Sequence, residues 1–280
     1  MSNIITEKPP GPEFVFPAFD KGQFDASLRE QSASVGKFGQ KLVTLLGASG
    51  KNVFISPLSI HECLLMAGNG AMGSTLHSMK ETLYQPDPFD VVNWKTNGES
   101  GTSLHNGELA LDFRQVSRLR CNYEISAVCL DFMHPDAMMV LILPNAAKYL
   151  EPTQFSGLVQ RCASSRIDLD LPKFEVECSE DLKNPLTSLG MGVVFSDAAH
   201  QVIHKTVLKV TENGVEATAV TAVGGGFGCA RPQPPKRLYF NRPFIVVLAD
   251  KRNDLIFFEG LITTLGDDSQ PMNTFSFGYQ

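Results

Sequence analysis

The sequence predicts an α+β fold: antiparallel sheets with helices packed on one side. Helical periodicity is concentrated in the first 84 residues, whereas from Asn122 onward short apolar and alternating runs are bounded by turn formers. The longest apolar runs pair as hairpins. With 280 residues, 43% of them hydrophobic, the chain can bury a sizeable core as one domain over 1–280. That core is expected over about 25–265, with loosely ordered tails at 1–24, which is Pro-rich, and at 264–280.

Taken in order, Leu28, Val35, Phe38, Leu42, Leu45 and Leu46 recur near helical spacing, predicting one long amphipathic helix over Asp25–Leu46 that ends in Gly47–Gly50. Asn52–Ser56 reads as a short apolar strand, stopped by Pro57 at the first turn of a second helix. That helix, Leu58 to about Asn69, is apolar nearly all round and is expected to be buried. Thr75–Leu83 is a third, shorter helix. Residues 85–110 are rich in Pro, Gly and Asn with little periodicity, an unusually long stretch for a compact domain. Ala127–Met133 and Ala137–Leu143 form a hairpin through His134-Pro135-Asp136, and Glu151–Cys162 is helical. Arg166–Glu177 alternates strictly, as one half-buried strand should. Leu182–Leu189 is a short helix. Lys236–Tyr239 is a strand, and Phe244–Ala249 and Leu255–Ile262 form a central hairpin turning at Asp250–Asp254.

Composition excludes several functions. The net charge is −6, and no block of Lys and Arg supplies a phosphate footprint, so nucleic acid is not an expected partner. No apolar run reaches membrane-spanning length, and the Pro-rich start does not read as a signal peptide. The expected location is cytoplasmic, with extracellular release by an unconventional route as the alternative. Six cysteines (Cys63, Cys121, Cys129, Cys162, Cys178, Cys229) show no Cys-x-x-Cys spacing. They read as buried reduced thiols, except Cys229 in an exposed Gly- and Pro-rich loop. Gly224-Gly-Gly-Phe-Gly228 lacks the Lys-Ser/Thr and the helix of a phosphate cradle. His200 and His204 are four apart without a third ligand, and His61-Glu62 lacks the second histidine of a zinc-protease helix. There is no Gly-x-Ser-x-Gly elbow. No enzyme activity, cofactor or metal is expected.

One stretch remains unexplained by folding alone. His204–Arg231 begins as an alternating strand, with Val207 and Val210 set against Lys205, Lys209 and Thr211. It passes Gly214 into Ala217–Val223, a small-residue run of high β-propensity and no charge. Exposed, such a run is a liability unless it is meant to pair with something.

Three segments resemble the serpin family. Leu238-Tyr-Phe-Asn-Arg-Pro-Phe-Ile-Val-Val-Leu248 fits its C-terminal signature. Asn52-Val-Phe-Ile-Ser-Pro-Leu-Ser-Ile60 looks like its strand-to-buried-helix entry, and Glu212–Thr221 like the hinge of its reactive loop. The resemblance covers residues 35–84 and 116–262 and implies a serpin fold with an exposed reactive-centre loop. It also implies a monomeric inhibitor of chymotrypsin-, trypsin- or elastase-like serine endopeptidases.

In that family the protease attacks the loop and forms an acyl-enzyme, and the cut loop then inserts as a strand into the main sheet. Each inserted residue adds ladder hydrogen bonds worth on the order of 1 kcal/mol. The resemblance makes Glu212, Gly214, Val215, Glu216, Ala217, Thr218, Ala219, Val220 and Thr221 the hinge; Val215 stands where inhibitory members usually have Thr or Ser. The family's spacing from Glu212 puts the scissile bond at Gly228–Cys229. Counting back from Arg242 lands near Ala230–Arg231, so Phe227 to Arg231 bounds it. Ser56 and His204 match shutter positions, but the asparagine the family sets beside them falls in the part missing between Gln85 and Val116. The main sheet is therefore expected to be incomplete. That leaves an alternative: a truncated or non-inhibitory serpin, cleaved or bound without trapping.

Overall fold

The computed structural model describes residues 21–68, 70–85, 118–121, 125–132, 136–144, 159, 162–164, 167–197, 201–210, 236–264 and 274–278. Helix α1 spans Lys21–Gly47, starting four residues before the predicted boundary and so using part of the expected N-terminal tail. Its core-facing stripe is Val35, Phe38, Leu42 and Val43, all essentially inaccessible, while Leu45 is exposed. Strand β1 (Val53–Ile55) leads into α2 (Pro57–Gly68), and α3 spans Gly73–Leu83. At the end of α3, Tyr84 takes a left-handed conformation (φ 54°), with Tyr84 and Gln85 N–H donating to Glu81 and Lys80 carbonyls. The hydroxyl of Ser34 in α1 donates to the Tyr84 carbonyl at 2.8 Å, tying the two helices together.

Strands β2 (Arg118–Cys121), β3 (Ile125–Asp131), β4 (Ala137–Pro144) and β5 (Ala163–Ser164) follow. Later come β10 (Phe244–Asp250) and β11 (Ile256–Ile262). Together with β1 they make a seven-stranded antiparallel sheet in the order β1-β11-β10-β4-β3-β2-β5. All eight positions of β4 are buried, because both sheet faces are covered. One face packs with α1, α2 and α3 around Phe38, Leu42, Ile55, Met138 and Val247. The other face packs against two small sheets around Phe54, Leu141, Phe174, Phe240 and Phe244.

Those small sheets correct the reading of Arg166–Glu177 as one strand. The run divides at Lys173 into β6 (Ile167–Pro172) and β7 (Phe174–Asp181), which belong to different sheets. Pro172 offers no N–H to continue a ladder. β6 pairs in parallel with β9 (Lys236–Tyr239) and antiparallel with β12 (Thr274–Gly278). The segment beyond Thr263 is thus not simply a loose tail: β12 supplies an outer strand. β7 alternates as expected, with Phe174, Val176 and Cys178 inward, and pairs with β8 (Ile203–Val210). In β6, by contrast, Asp170 is buried and accepts a 3.0 Å hydrogen bond from Arg237 Nε.

The predicted helix at Leu182–Leu189 is also more complex. A four-residue α4 (Lys183–Leu186) passes through a π turn at Thr187–Met191 into α5 (Gly192–Asp197). Gly190 makes that bend at φ 111°, which a side chain would resist. The predicted helix over 151–162 lies, apart from Val159 and Cys162, outside the described residues, as does most of 85–110. Cys129 and Cys178 are buried as expected, but Cys63 is exposed.

Candidate functional site

The site is a junction where β1 turns into α2 beneath β8. Ser56 is the residue at which strand ends and helix begins. Its carbonyl accepts the first helical hydrogen bond, from Ile60 N–H at 3.1 Å, and its Oγ caps α2 by accepting from Ser59 N–H at 3.2 Å. Pro57, which has no N–H to satisfy, occupies the first helical position. The Ser56 hydroxyl itself donates to the Phe257 carbonyl of β11 at 2.8 Å. Its backbone N–H donates to Nε2 of His204, on β8, at 2.9 Å. One residue therefore joins β1, α2, β11 and β8.

An Nε2 that accepts from an N–H carries no proton, so in this arrangement the His204 ring is neutral. Two positions expected to belong together are brought within hydrogen-bond distance, although they lie 148 residues apart.

Neighbouring residues reinforce the joint. Thr206 Oγ1 donates to the Phe54 carbonyl, fastening β8 to β1 one residue pair further along. Asn52 anchors the other end of β1. Its Oδ1 accepts from Thr263 N–H at 2.7 Å and Thr264 N–H at 2.9 Å, and its Nδ2 donates to the Thr264 carbonyl at 2.8 Å. Sequence reasoning singles out neither Thr206 nor Asn52. Asn at the mouth of a short strand is the available signal; nothing local marks Thr206, whose partner is 152 residues away.

Ser56→Ala is expected to cost about 2 kcal/mol, because it removes the cap and leaves the buried Phe257 carbonyl without that donor. Urea unfolding would measure this. A loss near zero would mean that the hydroxyl does not hold the joint.

Among the described residues the sheet at this site has two strands, β7 and β8. His204, Thr206, Leu208 and Val210 face inward, while Ile203, Lys205, Val207 and Lys209 face out. Val207 therefore shares the face of the lysines rather than opposing them, because side chains two apart on a strand point the same way. Ile203 and Val207 are 58% and 60% exposed, and Lys209 pairs across the outer face with Glu175 at 3.0 Å. Helix α2 is not buried all round, contrary to the expectation from its sequence. Cys63, Met66 and Ala67 form an exposed apolar face, Met66 being 48% exposed.

β8 ends at Val210, and the segment expected to be the hinge and bait follows. Glu212, Gly214, Val215, Glu216, Ala217, Thr218, Ala219, Val220 and Thr221 lie outside the described residues, as do Phe227, Gly228, Cys229, Ala230 and Arg231. Among the described residues no group of His, Cys, Asp and Glu could hold a metal ion, and no helix is long and apolar enough to cross a membrane.

The family model for serpins (serine protease inhibitors) matches this chain over residues 33–125 and 113–264, most of its length. The chain belongs to the serpin family. Human Serpin B3 is 32% identical over 151 residues, covering 45% of this chain and 37% of that protein. The mouse plasma serine protease inhibitor is 30% identical over 147 residues, covering 46% of this chain and 36% of that protein. The matched part thus spans less than two-fifths of the length of these relatives. Among solved structures, Cleaved Serpin 42Da superposes with a TM-score of 0.65 at 16% identity, covering 85% of this chain and 99% of that one. The thermophilic serpin Tengpin, in the native state, gives 0.60 at 19% identity, covering 89% and 96%.

As a serpin, this chain has helices and antiparallel sheets in the family's arrangement with an incomplete main sheet, of which β7 and β8 are the strands present among the described residues. Serpins are protease inhibitors rather than proteases, in keeping with the expectation of no enzyme activity.

Proposed function

We propose that this serpin presents the segment after β8 to a serine-type endopeptidase as a suicide inhibitor, with the scissile bond within Phe227–Arg231. The observation that carries this reading is the Ser56–His204 joint. It ties the strand that leads into the bait to the pivot between β1 and α2, where a sheet accepting a new strand must give way. The small residues Ala217–Thr221 are of a size to slide alongside β8. A cut after Phe227 suits a chymotrypsin-like pocket, after Gly228 an elastase-like pocket, and after Arg231 a trypsin-like pocket.

Among the described residues this sheet has only β7 and β8, which favours a second reading: cleavage without trapping. A strand inserted between two others gains ladder bonds on both sides, whereas one added beside β8 alone gains them on one side. At about 1 kcal/mol per bond, the drive to insert is roughly halved, leaving more time for water to hydrolyse the acyl-enzyme. Incubation with trypsin-, chymotrypsin- and elastase-like proteases separates the two readings. An SDS-resistant covalent complex, with a raised Tm in the cleaved form, is expected for trapping. Clean cleavage within 227–231 with no complex and no rise in Tm would reject trapping in favour of the second reading.

A further inference from the structure

Glu259 sits in the middle of β11, directly opposite Ile55 of β1 on one side and Val247 of β10 on the other. It is 4% exposed, and its Oε2 has no hydrogen-bond partner. The carboxyl lies under the C-terminal half of α1, at Gly39. A Cβ added to Gly39 would stand 3.2 Å from Glu259 Oε2 and 2.6 Å from Pro57 Cγ, so α1 rests on the carboxyl and on the start of α2 with no room to spare. A buried polar atom without a partner is costly when neutral and far more costly when charged.

We propose that Glu259 is a proton-operated seat for α1: the helix is clamped to the large sheet while the carboxyl is neutral, and is released when the carboxyl ionises. Burial alone holds this carboxyl above the usual range, at about 8. The elements packed against it supply no compensating cation among the described residues. On α1, Lys37 and Lys41 flank Gly39, but their ammonium groups lie over the Tyr84 ring, 5.7 and 5.0 Å from its centre. On α2, the nearest titratable groups are Glu62 and His61; the His61 ring is buried, edge-on to Phe38 and in contact with the Leu83 carbonyl at 3.0 Å. β1 offers only Val53, Phe54 and Ile55, and β10 carries Asp250 at its far end. Because Ile55 precedes Ser56, release of the seat would be felt at the joint with His204. The device does not depend on protease trapping.

The test is hydrogen exchange of the α1 amides over residues 35–43 in the full chain from pH 6.5 to 8, corrected for the intrinsic rate at each pH. Across that window the opening constant is expected to rise roughly fifteenfold, as one proton is lost on opening. In Glu259→Gln, and in Glu259→Leu if the amide variant folds poorly, the rise should vanish. A wild-type opening constant independent of pH in this window overturns the proposal, as does either folded variant that keeps the rise.

Discussion

Gly260→Ala is expected to destabilise the fold by about 3 kcal/mol, although it adds only one methyl group. Gly260 lies in β11 opposite Phe54 of β1. A Cβ there would stand 2.5 Å from the Val53 carbonyl oxygen, 2.7 Å from Phe54 Cδ2 and 3.1 Å from Phe54 Cα. Two of these are backbone atoms, and the Phe54 ring is stacked on Phe258 with centroids 5.4 Å apart, so no flexible side chain can swing away. β1 would have to move off β11, taking with it Ser56 and its bond to His204. Gly36→Ala is the control. Its Cβ would be 3.7 Å from Ile256 Cδ1, an ordinary contact, and an alanine inside α1 should stabilise by up to about 1 kcal/mol. Urea unfolding of both variants checks the pair. Equal midpoints would show that the β1–β11 approach is not tight.

The second large effect is a dependence of stability on pH set by two buried groups of opposite sign. Burial raises the Glu259 pKa from 4.5 to about 8. Between those values the unfolded chain is ionised at this residue while the folded one is protonated. Folding takes up a proton, so stability falls as pH rises through the window and levels off above about 8. His61 behaves in the reverse way. Burial lowers its pKa from 6.5 to about 4, with the Leu83 carbonyl opposing the shift. Between 6.5 and 4 the unfolded histidine is charged and the folded one is not, so stability falls as pH drops.

From pH 4.5 to 6.5 the two slopes cancel. From 6.5 to 8 only the Glu259 slope remains, costing about 2 kcal/mol. Glu259→Gln should therefore flatten the profile above pH 6.5. It should also uncover the His61 slope, a loss of about 3 kcal/mol from pH 6.5 down to 4. Unfolding midpoints at half-unit pH steps would measure both. A variant profile parallel to the wild type throughout would sink the assignment.

Glu259 also marks a boundary of what local pattern can reveal. In Leu255-Ile-Phe-Phe-Glu-Gly-Leu-Ile262 a single glutamate among apolar residues gives no sign of which face it occupies or what covers that face. The structure buries it because β11 lies between β1 and β10 with layers packed on both sides. Val207 departs from expectation for a different reason: its chemistry groups it with Val210, but three residues along a strand reverses the face. The α2 sequence, apolar nearly all round, reads as a core helix. The structure instead leaves Cys63, Met66 and Ala67 exposed, because which turns of a helix find partners depends on elements distant in the chain.

By itself, the sequence determined the periodicities of α1, α2 and α3, the central hairpin of β10 and β11, the stop at Ser56-Pro57 and the family resemblance. Each of these is written in residues close together in the chain, where spacing and turn chemistry act directly. Only the tertiary structure decided the split of β6 from β7, the pairing of β12 with β6, and the meeting of Ser56 with His204 across 148 residues. It alone decided the seating of α1 over Glu259. Those outcomes depend on which surfaces remain to be covered once the local elements exist, and long-range packing, not local pattern, settles that.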